Sequence, residues 1–260
     1  SSNLVSNGDF SQEGSELVTS TSSTNNWIDA RGNSTISVVG DSVRASITSG
    51  TVFGISTAIT TVIGKTYSIK AGGLKNNTNG TLLIRVTDVA SLSPAFYEES
   101  SSGSTSVNTD GTFVATSTTH YVGLLVTSQT VGDYVETDNI SVKEVGQDWT
   151  LGSGWTISGG TANCDGTNFA TISQSKILVV GKTYKYSFTI SNLTQGGVRL
   201  FIGNTVGSIH SANGTFTGYI TYSSGSSIIL QARDSFIGSI DNISVIEITD
   251  DTNLPRINYE

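Results

Sequence analysis

Val62-Ile63-Gly64-Lys65-Thr66-Tyr67 returns later in the chain as Val179-Val180-Gly181-Lys182-Thr183-Tyr184. A second string, Asp138-Asn139-Ile140-Ser141-Val142-Lys143-Glu144-Val145, returns as Asp241-Asn242-Ile243-Ser244-Val245-Ile246-Glu247-Ile248. Between them Asp110-Gly111-Thr112-Phe113 is matched by Asn213-Gly214-Thr215-Phe216. Three landmarks in one order mark a tandem repeat. The openings match more loosely, Asp9-Phe10-Ser11 with a later Trp27 against Asp148-Trp149-Thr150 with a later Trp155. The boundary then falls at Gly146-Gln147, with module one over residues 3–145, module two over 147–249, and a polar linker or tail over 250–260. The longer interval between landmarks in the first copy places extra loop around Ser91 to Ser106.

Within each module apolar residues recur with period two, the mark of strands with one buried face. Module two reads Tyr184, Tyr186, Phe188, Ile190, then Val198, Leu200, Ile202, then Ile228, Leu230, Ala232. Turn clusters such as Gln195-Gly196-Gly197 and Ser223-Ser224-Gly225-Ser226 separate the runs, as in antiparallel sandwiches. The fold class this predicts is all-β, two β-sandwiches in tandem, of jelly-roll type.

Composition agrees. Apolar residues are 36% and charged residues 13%, with 29 glycines, a balance of turn and strand formers rather than of helix formers. The net charge is −8 and no basic run occurs, which argues against a nucleic-acid partner. Cys164 is the sole cysteine, so no intrachain disulfide or thiolate zinc set can form. No apolar run reaches the roughly 20 residues needed to span a bilayer, so membrane insertion is not expected. The chain has no Met, and is expected to be a processed product or a piece of a larger polypeptide or assembly.

The opening Asn3-Leu4-Val5-Ser6-Asn7-Gly8-Asp9-Phe10, the Gly154-Trp155 pair, the Gly-Lys-Thr-Tyr strand entry and the closing Gly238-Ser239-Ile240-Asp241-Asn242-Ile243-Ser244-Val245 resemble the galactose-binding-like jelly-roll carbohydrate-binding modules. Such modules are appended to secreted glycoside hydrolases and recur in bacteriophage tail and other virion proteins. The tail Asn253-Leu254-Pro255-Arg256-Ile257-Asn258-Tyr259 looks like a segment that precedes a lectin-like domain in phage structural proteins. The resemblance implies a partner that is a polysaccharide or cell-surface glycan, and an extracellular or virion location. It also implies a structural Ca2+ held by an acidic residue near the first strand and one near the last, Asp9 with Asp138 and Asp148 with Asp241. Two carboxylates would need carbonyls or water to complete such a shell. The family often has Glu after the opening Phe, whereas Ser11 follows Phe10 and Thr150 follows Trp149 here. Anchoring of turns through backbone hydrogen bonds is the competing role for these Asp residues.

Catalytic constellations are missing from the sequence. Neither Gly-Lys-Thr string has the earlier glycine of a phosphate loop, and no Gly-x-Ser-x-Gly elbow occurs. His120 and His210 stand singly and are expected at the surface or at strand ends. Glu98-Glu99 is an adjacent acid pair in the long loop of module one, and reads as a solvated acidic loop because neighbours on a strand point to opposite faces. Phe10, Trp27, Trp149 and Trp155 read as packing residues. The chain is therefore expected to be no enzyme, and to bind glycan. A virion spacer or docking module without a sugar site, and more remotely a polysaccharide hydrolase, are the alternatives.

Strand parity names the sugar-contacting face. If Val198, Leu200 and Ile202 pack inward, Arg199 and Phe201 face outward; if Ile228, Leu230 and Ala232 pack inward, Ile229, Gln231 and Arg233 face outward. An aromatic platform with guanidinium and amide donors suits a sugar, whose C–H face stacks on a ring while its hydroxyls take directed hydrogen bonds. Module one presents Leu83, Arg85, Tyr121 and Leu125 at the corresponding parity, a less polar set expected to bind more weakly or differently.

Overall fold

The computed structural model describes residues 2–127 and 130–249. Every regular element among them is a strand. The chain divides into two compact units, an inserted unit of residues 14–145 and a split unit that joins residues 2–13 to 146–249.

In the inserted unit the strands are β1 (Trp27–Asp29), β2 (Ser34–Val39), β3 (Ser42–Ile47), β4 (Val52–Thr60), β5 (Thr66–Lys75), β6 (Thr81–Thr87), β7 (Tyr97–Ser102), β8 (Ser106–Val114), β9 (Thr119–Thr127), β10 (Tyr134–Thr137) and β11 (Ile140–Val145). They form two antiparallel sheets, β1-β4-β9-β6-β7 and β11-β5-β10-β3-β2, the second with β8 paired to β5. Alternate residues of both sheets meet in one core that includes Phe53, Ile55, Ile84 and Leu124 from the first and Val43, Ile69 and Val142 from the second. Each such side chain contributes roughly 1.5–3 kcal/mol by leaving water. The extra length expected as loop between Ser91 and Ser106 contains β7, an edge strand paired to β6.

The split unit contains β12 (Thr150–Leu151), β13 (Trp155–Ser158), β14 (Thr161–Asp165), β15 (Thr171–Ser175), β16 (Thr183–Ile202), β17 (Thr205–Val206), β18 (Gly214–Thr221) and β19 (Ser227–Glu247). β16 and β19 run antiparallel through their whole length, so the cluster Gln195-Gly196-Gly197 expected to separate strands is instead a bend within one. Register shifts fall between Ser191 and Gln195 and between Gln195 and Gly197, and such irregularities let a strand turn from one layer into another. Gly196 takes φ +69 there, and a Cβ on it would overlap the Arg233 carbonyl oxygen. Beyond the bend β16 pairs with β17, and before it with β18.

The repeated strings are structural devices. Val62 N–H donates to the Tyr67 hydroxyl at 2.9 Å, and Val179 N–H donates to the Tyr184 hydroxyl at 2.9 Å. Gly64 and Gly181 take φ +83 and +81 in these turns, a left-handed conformation that costs other residues more. Lys65 lies 3.6 Å from Glu144 and Lys182 lies 3.6 Å from Glu247. The lysine of the first string thus meets the glutamate of the second in each unit.

The chain's opening departs from expectation. Residues 2–13, placed by the sequence reading in module one, lie in the split unit. Leu4 N–H donates to the Val245 carbonyl at 2.8 Å and Ile243 N–H to that of Gly8 at 2.9 Å. Phe10 packs on Trp149 with ring centroids 5.5 Å apart, and the Trp149 indole N–H donates to the Asn7 carbonyl at 2.9 Å. Phe10 and Trp149 are therefore partners in one unit rather than equivalents in two. The true counterpart of Asn3-Leu4-Val5 is Glu16-Leu17-Val18. Asn3 Oδ1 accepts the N–H groups of Val5 and Val245 at 3.1 and 2.9 Å, while Glu16 Oε1 accepts those of Val18 and Val142 at 3.0 and 2.8 Å. Leu17 N–H donates to the Val142 carbonyl at 3.0 Å, as Leu4 does to Val245. Both opening segments occur within the first eighteen residues, and the whole of residues 14–145 is inserted after the first of them.

His120 lies at a strand end, the second residue of β9, as expected, but packed inside rather than solvated, and His210 is half-buried outside the named strands. His120 is fully buried, with Nδ1 2.8 Å from Thr61 Oγ1 and its ring beside Phe96 and Phe113. His210 stacks on Phe216 at 4.3 Å and meets Phe188 edge-on. Burial pushes the His120 imidazole below its ordinary pKa, with Asp88 opposing. The folded state then binds fewer protons than the unfolded one, so the stability His120 permits is present above the unfolded pKa near 6.5 and is lost as pH falls through it. Urea unfolding of the inserted unit should show stability declining on acidification below pH 6.5 by at most about 1.4 kcal/mol per pH unit from this residue. His120→Leu should flatten that part of the profile, and an unaltered slope would assign the acid sensitivity to other groups.

Candidate functional site

On the split unit, the layer formed by β15, the first part of β19 and the last part of β16 has one buried and one open face. Ile228, Leu230, Ala232, Val198, Leu200 and Ile202 are fully buried. Their neighbours Ile229, Gln231, Arg233, Arg199 and Phe201 are half-buried on the outer face. The parity read from sequence holds at every one of these positions.

Register brings the predicted side chains together. Arg199 lies directly across from Gln231, Phe201 from Ile229, and Gly197 from Arg233. Arg199 donates through Nε and Nη2 to Gln231 Oε1 at 3.1 and 2.9 Å, and its guanidinium carbon sits 4.9 Å from the centroid of Phe201. Arg233 makes the matching contact with Phe169, 4.6 Å from its centroid. Phe169 is 55% exposed and is held at the strand edge by its N–H, which donates to the Ala232 carbonyl at 3.0 Å. The sequence reading omitted Phe169, although its parity matches that of the outward Thr171 and Ser173. The result is a band across the sheet that runs phenylalanine, arginine, glutamine, arginine, phenylalanine. Each cation lies on a ring, an arrangement that orients both groups at modest cost.

The corresponding face of the inserted unit is closed. Leu83 and Leu125 do face outward, but they are buried with Ala30 and Leu92 in a second small cluster, against which Tyr121 packs. Arg85 is held by Glu98 at 2.6 Å and donates to the Leu92 carbonyl at 2.9 Å. The segment carrying Leu92 thus covers the platform expected around Arg85 and Tyr121. Glu98 and Glu99, expected in a loop, lie on β7 with Glu98 used in this ion pair.

Of the two aspartate pairs, one does not fall within a single unit as expected. Asp9 belongs to the split unit and Asp138 to the inserted unit, so this pair is separated by the same strand exchange that moves the opening segment. Asp9 Oδ1 accepts from the Ser11 hydroxyl and N–H at 2.9 and 3.2 Å, bonds that hold its carboxyl below the ordinary value. Asp241 accepts from the Asn242 N–H and Nδ2 at 2.6 and 3.1 Å. Asp148 is exposed with φ +71, inside the turn closed by the Trp149 N–H on the Gly146 carbonyl. Asp138 lines a shallow hollow with Gly72, Asn108 and Asn139. Among the described residues no three acidic, histidine or cysteine groups converge as a metal shell requires. Asn3 and Glu16 tie the opening segment of each unit to its last strand through backbone N–H groups, the anchoring role that competes with calcium at the aspartates.

Fold and face together define an all-β protein of two antiparallel β-sandwich units, the split one with an open aromatic and guanidinium surface. No protein-family model matches the chain, and no curated protein matches it. Among solved structures it is similar to the N-terminal CBM22-1-CBM22-2 tandem domain of Paenibacillus barcinonensis Xyn10C, at 11% identity and TM-score 0.39, over 92% of this chain and 99% of that one. A CBM4 structure is similar at 14% identity and TM-score 0.36, over 54% and 98%. TmCBM61, in complex with beta-1,4-galactotriose, is similar at 14% identity and TM-score 0.32, over 55% and 98%. These neighbours are carbohydrate-binding modules, the class that the sequence motifs resemble. Likeness at this level does not define a ligand.

Proposed function

We propose that the chain is a non-catalytic glycan-binding protein, and that it attaches to surface or polymeric carbohydrate through the outer face of the split unit. The observation that carries this reading is the band of Phe169, Arg233, Gln231, Arg199 and Phe201. Two rings offer stacking surface to the C–H faces of sugars, and the guanidinium and amide groups between them offer directed donors to hydroxyls. Because each arginine already rests on its ring, little side-chain freedom remains to be lost on binding. None of the five is a carboxylate, so these residues do not themselves supply the acid pair of a glycosidase. An extracellular or virion setting, as part of a larger protein, is supported by the motifs of the opening and closing strands. The tail string from Asn253 to Tyr259 points the same way and lies outside the described residues. No helix among the described residues is long and apolar enough to cross a membrane.

Affinity electrophoresis through gels containing soluble polysaccharides tests the proposal. The whole chain should be retarded by at least one polymer, and Phe201→Ala combined with Arg233→Ala should weaken that retardation by roughly 30-fold or more, the scale of a lost hot-spot contact. Retained affinity in the folded double variant would place the site elsewhere. No retardation by any polymer would favour a spacer, and release of reducing ends would favour a hydrolase.

A further inference from the structure

The arginines of this protein differ in what stands across from them. Arg44 on β3 lies directly opposite Glu136 on β10, with Nε 2.7 Å and Nη2 2.5 Å from the same carboxylate oxygen. Arg85 on β6 lies directly opposite Glu98 on β7, with Nη2 2.6 Å from the carboxylate. In both cases the cross-strand neighbour supplies the counter-charge, the arrangement that stabilises facing side chains on a sheet. On the split unit the same positions hold neutral residues. Opposite Arg199 stands Gln231, the uncharged isostere of glutamate, and opposite Arg233 stands Gly197, with no side chain.

Among the described residues neither Arg199 nor Arg233 has a carboxylate partner. Arg233 Nε is buried and has no hydrogen-bond acceptor, and a buried donor without a partner is costly. The two arginines also occupy diagonal positions of the paired strands, a backbone spacing of about 7–8 Å, so one face of the sheet carries two cations with no carboxylate opposite either. This occurs in a chain where 21 acidic residues outnumber 13 basic ones, so carboxylates to neutralise them are not scarce in the sequence. Two guanidiniums without counter-charge, each beside a stacking ring and with donors left over from the contacts above, are complementary to an anionic group carried on a sugar ring.

We infer that the ligand of this face is an acidic glycan, a polymer whose sugars carry carboxylate or sulfate. The inference rests on the glycan-binding reading above and specifies its ligand class. A sugar ring stacks on Phe201 or Phe169, and its anionic oxygens accept from the guanidinium beside that ring. Gln231 holds Arg199 in place without neutralising it, which a glutamate there would do.

Matched polymers test this with the whole chain. Polygalacturonate is compared with its carboxyl-reduced galactan, and dextran sulfate with dextran, each by affinity electrophoresis at two salt concentrations. At least one anionic polymer should bind tenfold or more tighter than its neutral parent, with the difference shrinking as salt rises. Which pair shows the gain identifies the anion. Arg199→Gln with Arg233→Gln should bind both members of that pair alike, and Gln231→Glu should lose most of the gain. Both variants change outward side chains, and an unchanged melting temperature verifies their fold. Equal wild-type affinity for anionic and neutral members would overturn the acidic-ligand inference while leaving glycan binding intact. An anionic gain that survives the arginine substitutions would overturn it too. Binding to none of these polymers, nor to any in the wider panel, would remove both this inference and the glycan reading beneath it.

Discussion

A chain that begins at residue 14 should keep a folded inserted unit and lose the fold of residues 146–249. The missing segment carries Phe10 and Val5, which are 3% and 7% exposed. It also carries the backbone groups of Leu4 and Gly8 that bond to Val245 and Ile243. Gln174, nearly buried at 3% exposure, exchanges hydrogen bonds with both Ser6 backbone groups and would lose them. Burial of one Phe side chain is worth about 3–5 kcal/mol on truncation to Ala, and each lost hydrogen bond adds about 1 kcal/mol. Together these rival the roughly 5–15 kcal/mol that holds a domain folded. Urea unfolding of the full chain should therefore show contributions from both units, and that of the truncated chain should show the inserted unit alone. A fragment of residues 146–249 that unfolds cooperatively at its full-length midpoint would refute the strand assignment.

Gly123→Ala should destabilise the inserted unit by about 3 kcal/mol, at the upper end for added volume in a packed site. Gly123 lies on β9 opposite Ser56 on β4, and a Cβ there would overlap the Ile55 carbonyl oxygen. Backbone cannot rotate away as a flexible side chain can. Gly64→Ala offers the contrast. It also strains a glycine, with φ +83, but nothing lies within 4 Å of its Cβ, so only the conformational cost of about 1–2 kcal/mol applies. Thermal melts of the two variants should rank Gly123→Ala well below Gly64→Ala, and the reverse order would contradict the close approach of β4 and β9.

What could be read from the chain was set by local physics. Period-two alternation is a property of a strand by itself, so the inward set Val198, Leu200, Ile202 and the outward pair Arg199 and Phe201 were legible before any partner strand was known. The same count extended two residues ahead of Thr171 reaches Phe169, so that omission was avoidable. The Val-x-Gly-Lys-Thr-Tyr strings were legible because each closes its own turn through a tyrosine five residues on.

What escaped the sequence depends on pairing between distant segments. Asn3-Leu4-Val5 and Glu16-Leu17-Val18 share two residues in three, too little to rank above the louder match of Asp9-Phe10 with Asp148-Trp149. Only their common bonds to Val245 and Val142 reveal which strand serves which unit. The pairing of Asp9 with Asp138 went with them, since it assumes that the chain's opening closes the first module. On the inserted unit the parity of Leu83 and Leu125 was read correctly. Nothing in parity says that Leu92 folds back over them, because a covering segment and an open one have the same alternation beneath.

Titration of the isotopically labelled whole chain with oligosaccharides from the polymer that retards it most tests the central claim most directly. Glycan binding on the split unit's outer face predicts that the side-chain Nε–H resonances of Arg199 and Arg233 and the side-chain amide of Gln231 shift together and saturably, along with the rings of Phe169 and Phe201. Saturable shifts confined to residues of the inserted unit, with those five side chains unmoved, would contradict it.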